Sequence, residues 1–179
     1  MESLEQGVDS PHPSWRRWVV GLIAVVVLGA VGASAWQIDM RWREASAADI
    51  ALAFDETLSA IETAERQVQS VAEYARPQSD RDDISLAEKA SLEAMVQEAS
   101  VESAAEIARE RMQINAVRLL PWHTSLQAAR DRAIAWLDLR ASGIVTLAAT
   151  GQATYAPREE IDSARTALRD AWEAISPPE

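Results

Sequence analysis

The chain has 179 residues, 28 acidic and 17 basic side chains, a net charge of −11 and no cysteine. Disulfides, thiolate metal sites and lipid attachment through cysteine are therefore excluded. One Phe, two Tyr and an abundance of alanine make a helix-former's composition, poor in the residues that strands favour.

Residues 1–14 are polar and carry Pro11 and Pro13. With little apolar surface to bury, they are expected to form a disordered cytoplasmic tail. Trp18 to Trp36 follows, nineteen residues without a charge, Pro, Asn or Gln. As a helix it covers about 28 Å, close to the roughly 30 Å of a bilayer's hydrocarbon core. Trp15 and Trp18 stand at one end and Trp36 and Trp42 at the other, the positions of two aromatic belts. Arg16 and Arg17 precede the stretch, and Arg41 and Arg43 follow it, so arginine count alone does not orient it. A short tail, an apolar run and then a long polar region is the order of a signal anchor. Residues 15–38 are accordingly expected to span the cell membrane as a single-pass helix, with the N-terminus cytoplasmic and residues 39–179 extracytoplasmic. Ala33-Ser34-Ala35 supports an alternative, a signal peptide cleaved after Ala35 and a secreted helical protein. The apolar run is longer than the 7–15 residues usual for such a signal, which favours the anchor. Gly29/Ala33 and Ala30/Ser34 form small-xxx-small pairs that would admit a homo-oligomer.

Beyond the span, Ala47, Ala51, Phe54, Leu58, Ile61, Ala64, Val68, Val71 and Ala75 recur at helical spacing. This first outer helix is expected to end at Arg76, because Pro77 disfavours the α conformation before it. Residues 77–85 read as a turn, and Ser85 with Glu88 forms a capping box for a second helix reaching about Leu119. Near Ser100 and Val101 the apolar phase slips, which predicts a kink. A third helix follows Pro121, with Trp122, Leu126, Ala129, Ala133, Trp136, Leu137, Ile144 and Leu147 on its stripe and Gly151 as its stop. Pro157 suits the start of a fourth, with Ile161, Ala164, Leu168, Trp172 and Ile175 inward and Pro177-Pro178 at its end. The expected architecture is all-α, an up-down bundle of three to four long helices behind the span. In organisation only, it resembles the helical sensory domains of bacterial chemoreceptors, which have two spans and a cytoplasmic output.

The charge is unevenly placed. Residues 44–110 hold sixteen acidic and five basic groups, whereas the segments on either side are balanced. An acidic surface repels phosphate, so neither nucleic acid nor anionic lipid headgroups are expected partners for this segment. Glu98, Glu102, Glu106 and Glu110 are spaced by four along one drifting helix face and form the candidate partner face. Carboxylate di-iron bundles need Glu-x-x-His pairs, and neither His12 nor His123 has a Glu three residues before it. No calcium-loop pattern, phosphate-binding glycine motif or G-x-S-x-G is present. His123 reads as an ordinary helix-start or surface residue, and Trp122, Trp136 and Trp172 read as core. No catalytic, cofactor-binding or metal-ligating residue is expected. The leading expectation is a protein acting through protein–protein contacts, an accessory or scaffold subunit of a bacterial envelope complex with a basic partner. The alternative is a sensory or small-ligand-binding bundle.

Overall fold

The computed structural model describes residues 14–175, with side chains from residue 21 onward. The tail expected over 1–14 lies outside the described residues except for Ser14, which opens a helix, and so does the Pro177-Pro178 stop. Among the described residues the protein is all-helical, without a strand: α1 Ser14–Ser79, α2 Leu86–Ala116, α3 Thr124–Thr150 and α4 Arg158–Glu173. The chain divides into two compact units, Met1–Trp42 and Arg43–Glu179.

In the first unit, residues 21–38 are helical and every one of their side chains is exposed. Its one described hydroxyl, Ser34 Oγ, donates to the Ala30 carbonyl at 2.9 Å. That bond leaves the serine no unmet donor.

The second unit is a helical bundle. Ser46 Oγ donates to the Arg118 carbonyl, and at the other end Ala75 and Ser79 share a groove with Leu92 and Val96. The first segment of this unit, residues 43–79, therefore runs antiparallel to α2. Arg111 of α2 meets Asp138 of α3, and Gln97 lies beside Gly151, so α2 and α3 are antiparallel as well. Residues 43–79 and α3 run parallel, with Arg43 against Ser125, Phe54 against Trp136 and Glu65 against Arg140. After residues 151–157, α4 packs back on α3 and carries Leu168 into the core. Short connections force each neighbour to reverse, as in any up-down bundle.

Local chemistry sets the helix ends. Ser85 Oγ accepts from the Glu88 N–H at 3.2 Å, and the Glu88 carboxylate accepts from the Ser85 N–H at 3.0 Å. The capping box read from the sequence is thus formed, and two otherwise unmet donors are satisfied. Gly151 ends α3 in the left-handed region at φ 73°, its N–H donating to the Leu147 carbonyl at 2.9 Å. A Cβ there would be strained, so glycine suits the position.

Three boundaries differ from expectation. Helix α1 passes through Pro77 to Ser79 instead of stopping at Arg76. The Gln78 amide donates to the Tyr74 carbonyl, and both Ser79 Oγ and the Asp80 N–H donate to the Arg76 carbonyl. These bonds tie down the turn around Pro77, and the proline itself leaves without its helical donor only the carbonyl of the exposed Glu73, which water can reach, so a proline this close to the end costs little. Helix α2 ends at Ala116 instead of about Leu119, with Val117 extended at ψ 120°. Nor does α2 break at Ser100: it is continuous, and Ser100 Oγ donates back to the Val96 carbonyl at 2.7 Å.

The core explains that continuity. Ser100, Ser103, Ile107 and Ile114 are the buried residues of α2. Once the two serines are counted, the buried face has regular helical spacing. On α1 the buried face is Ser46, Ile50, Ala53, Thr57, Ile61, Ala64 and Ala75, while Ala51 is exposed. The expected stripe therefore lay one residue too far along at its start, because two small polar residues stand among the buried ones. Thr57 satisfies its hydroxyl within the helix, on the Ala53 carbonyl at 2.7 Å. Small side chains let helices approach closely, and close packing supplies the dispersion energy that apolar bulk would otherwise supply. Helix α3 is the centre of the bundle, with Leu126, Ala129, Ala133, Trp136, Leu137, Ala141, Gly143 and Ile144 buried. Of the expected core residues, Ile61, Leu126, Trp136 and Leu168 are buried, and Leu58 packs partly buried against them.

Candidate functional site: an acidic face and the ends of the apolar stretch

Glu98, Glu102, Glu106 and Glu110 all lie on α2. The first three are exposed and Glu110 is half-buried. Each step of four turns the side chain by about 40° around a 3.6-residue helix, so the row winds across the surface. Its second half borders a groove of about 470 Å³ between α1 and α2, where Glu106 and Glu110 meet Glu56, Thr63, Gln67 and Ser103. Ser103 forms the floor, 4% exposed, with no hydrogen-bond partner for its Oγ. Partners within α2 relieve the like charges: Arg109 pairs with Glu106, and the Gln113 amide donates to Glu110. The structure thus brings Glu106, Glu110 and Glu56 to one groove and leaves Glu98 and Glu102 off it.

Elsewhere, carboxylates are used to join helices. Glu65 and Arg140 link α1 to α3, and Asp138 and Arg111 link α3 to α2 through bonds of 2.5 and 2.7 Å. The Asp138 carboxylate holds the Arg111 guanidinium pKa above its ordinary value, against the opposing effect of burial. Arg81 lowers the pKa of Asp83 through a side-chain bond in the loop before α2. The Ser85 N–H, and then its hydroxyl, lower that of Glu88. Spacing rules do not reach the interhelical pairs, which join positions 27 and 75 residues apart. Among the described residues no group of three or more His, Asp or Glu is disposed to hold a metal ion.

Of the expected interface anchors, the side chains of Trp15, Arg16, Arg17 and Trp18 lie outside the described residues. Trp36 and Trp42 are exposed, Trp36 at 67%. Among the described residues, two helices contain a window long and apolar enough to cross a membrane. One begins at Gly21, with mean hydropathy 1.9 and none of the window buried. The other is α3, at 1.2, and its apolar residues already serve the bundle core.

One aromatic expectation is reversed and another is met in part. Trp122 is not core: it is 65% exposed in the connection before α3. His123 stands at the helix start as expected, but it is buried, at 5% exposure, with the Trp122 ring edge-on to it. The backbone selects one of two adjacent aromatic rings for the interior, and alternate burial at a helix entry has no periodic signal in the sequence.

No protein-family model, no curated protein and no solved structure matches this chain.

Proposed function

We propose that this protein is anchored in a membrane by the helix over 18–36 and presents its bundle on the extracytoplasmic side, where the acidic face docks on a basic surface of a protein partner. An accessory or scaffold role in a bacterial envelope complex fits that reading. One observation carries it: an apolar helical stretch with every described side chain exposed belongs to the same chain as a bundle that has its own complete core. Water does not tolerate a continuous apolar patch of that length, and a bilayer matches it. The bundle buries a core of its own, and its exposed apolar side chains, such as Leu52, Leu86 and Met112, are scattered among charged and polar ones and form no run like that of 21–38. The nineteen-residue length of the apolar run favours an uncleaved anchor over a signal peptide, whose apolar region is usually 7–15 residues. Long domains cross the membrane largely regardless of charge, so the tied arginine count does not hold the bundle in the cytoplasm.

The absence of cysteine makes the test direct. Gln6→Cys and Ser163→Cys variants are expressed separately in intact cells and treated with a membrane-impermeant maleimide. Labelling of the Ser163→Cys variant but not of Gln6→Cys, with both retained in the membrane after carbonate washing, is the expected result. A mature chain beginning at Trp36 overturns the anchor, and labelling of the Gln6→Cys variant alone overturns the orientation. For the partner, Glu98, Glu102, Glu106 and Glu110 are changed together to Gln, which keeps helix propensity. Loss of salt-sensitive co-purification with an undiminished melting temperature supports the interface, because charge complementarity governs encounter. Unchanged co-purification in low and high salt identifies the row as solvated surface.

A further inference from the structure

Residues 117–123 form a seven-residue connection, Val-Arg-Leu-Leu-Pro-Trp-His, between α2 and α3. Its backbone is held in place. The His123 N–H donates to the Leu120 carbonyl at 3.0 Å, and the Gln127 amide donates to the carbonyls of Leu120 and Pro121. Leu119 and Leu120 are half-buried and Arg118 and Pro121 exposed, and Trp122 leaves about two thirds of its surface outside the protein. Tryptophan is the costliest side chain to leave in water, and it is at home where one phase is apolar and the next is wet.

The connection lies at a particular end of the bundle. Ser46 Oγ donates to the Arg118 carbonyl at 3.4 Å, and the Arg43 guanidinium donates to Ser125 Oγ at 3.3 Å. Arg43 follows the exposed, apolar Ile38 by five residues. Five residues reach at most about 17 Å fully extended and about 7.5 Å as a helix. A headgroup layer is about 5–8 Å thick on each side of the hydrocarbon core. Chain length therefore keeps the start of the bundle within about 17 Å of Ile38, and the connection lies at that end of the bundle, within reach of the layer without being held in it.

We infer that the 117–123 connection is a second membrane contact, with the Trp122 indole seated in the phospholipid interface and Arg118 facing lipid phosphate. This rests on the reading of 18–36 as a membrane anchor. The anchor supplies the local concentration, so one indole and one guanidinium suffice to hold the bundle down where neither would bind a membrane alone.

The test uses the full chain in phosphatidylcholine vesicles, with single cysteines carrying an environment-sensitive fluorophore and nitroxide lipids as quenchers. Val26→Cys reports the anchor, Thr124→Cys the connection, and Gln152→Cys the loop beyond the other end of α3. Quenching of the label at position 124 by a headgroup nitroxide is expected to exceed that of the label at position 152 several-fold. Adding Trp122→Ser to Thr124→Cys should bring it down toward the level at position 152. Arg118→Gln should weaken it chiefly when anionic lipid is present. If the anchor label is quenched from the bilayer interior while the connection label stays like that at position 152, the connection is in water and the inference fails with the anchor intact. If the anchor label is not quenched, anchor and inference fall together. Quenching of the connection label that Trp122→Ser does not change means the tether alone holds the loop there, which also overturns the inference. A blue-shifted connection label that no lipid quenches points to a covering protein surface and overturns it too.

Discussion

The Arg140 guanidinium grips the Glu65 carboxylate through two bonds, at 2.5 and 2.8 Å, and so joins the parallel helices α1 and α3. Both side chains are about a third exposed, so water screens the pair. Bidentate geometry is the favourable case for such a pair. A double-mutant cycle of Glu65→Gln and Arg140→Met, followed by urea unfolding, should return a coupling of roughly 0.5–1 kcal/mol. A coupling indistinguishable from zero would make the pair a surface contact without structural weight.

Leu126 and Trp122 make a matched comparison at the start of α3. Leu126 is fully buried, so Leu126→Ala should cost on the order of 2–5 kcal/mol in the unfolding of the bundle. Trp122 is the larger side chain yet mostly exposed, and Trp122→Ala should stay within about 0.5 kcal/mol. The reverse order would place Trp122 in the core after all.

Gly143 is buried in the middle of α3 because the Tyr155 ring lies where its Cβ would be. Gly143→Ala must displace that ring, and since Tyr155 is 71% exposed the ring can swing into solvent, so the clash should offset much of the roughly 1 kcal/mol that alanine gains in helix propensity. With Tyr155→Ala in the same chain, Gly143→Ala should show that gain in full. Additive effects of the two changes, read from melting temperatures, would dismiss the clash.

The capping box before α2 carries a pH dependence of known sign. Ser85→Ala should lower stability by about 1 kcal/mol, as is usual for a lost N-cap. Glu88 has its pKa depressed by the Ser85 N–H and hydroxyl, so its contribution is present above the ordinary glutamate range. That contribution is lost as pH falls through the depressed value. The Glu88 carboxyl, followed by NMR titration, should shift back toward the ordinary glutamate value in Ser85→Ala. An unmoved titration would separate the carboxylate from the box.

The helical class, the four elements, the capping box and the Gly151 stop were legible in the chain itself. Each rests on neighbours within about one helical turn, where spacing and side-chain type act directly on the backbone. The exposed apolar stretch from residue 21 was equally legible, because nineteen uncharged residues need no tertiary context to be recognised. The buried faces were only partly so. Ser100, Ser103, Thr57 and Ser46 are interior because close helix approach rewards small size, whereas a hydrophobic stripe selects for apolarity. The continuity of α2 through Ser100 and of α1 through Pro77 depended on hydrogen bonds that no periodicity reveals. The row of four glutamates was visible as a row, but its division between groove and open surface was set by where α1 lies against α2. The Glu65–Arg140 and Arg111–Asp138 pairs, and the outward Trp122 beside the inward His123, were decided by tertiary structure alone. The paired residues are far apart in the chain, and only the packing of whole helices brings them together; the same packing decides which of two neighbouring rings stays in water.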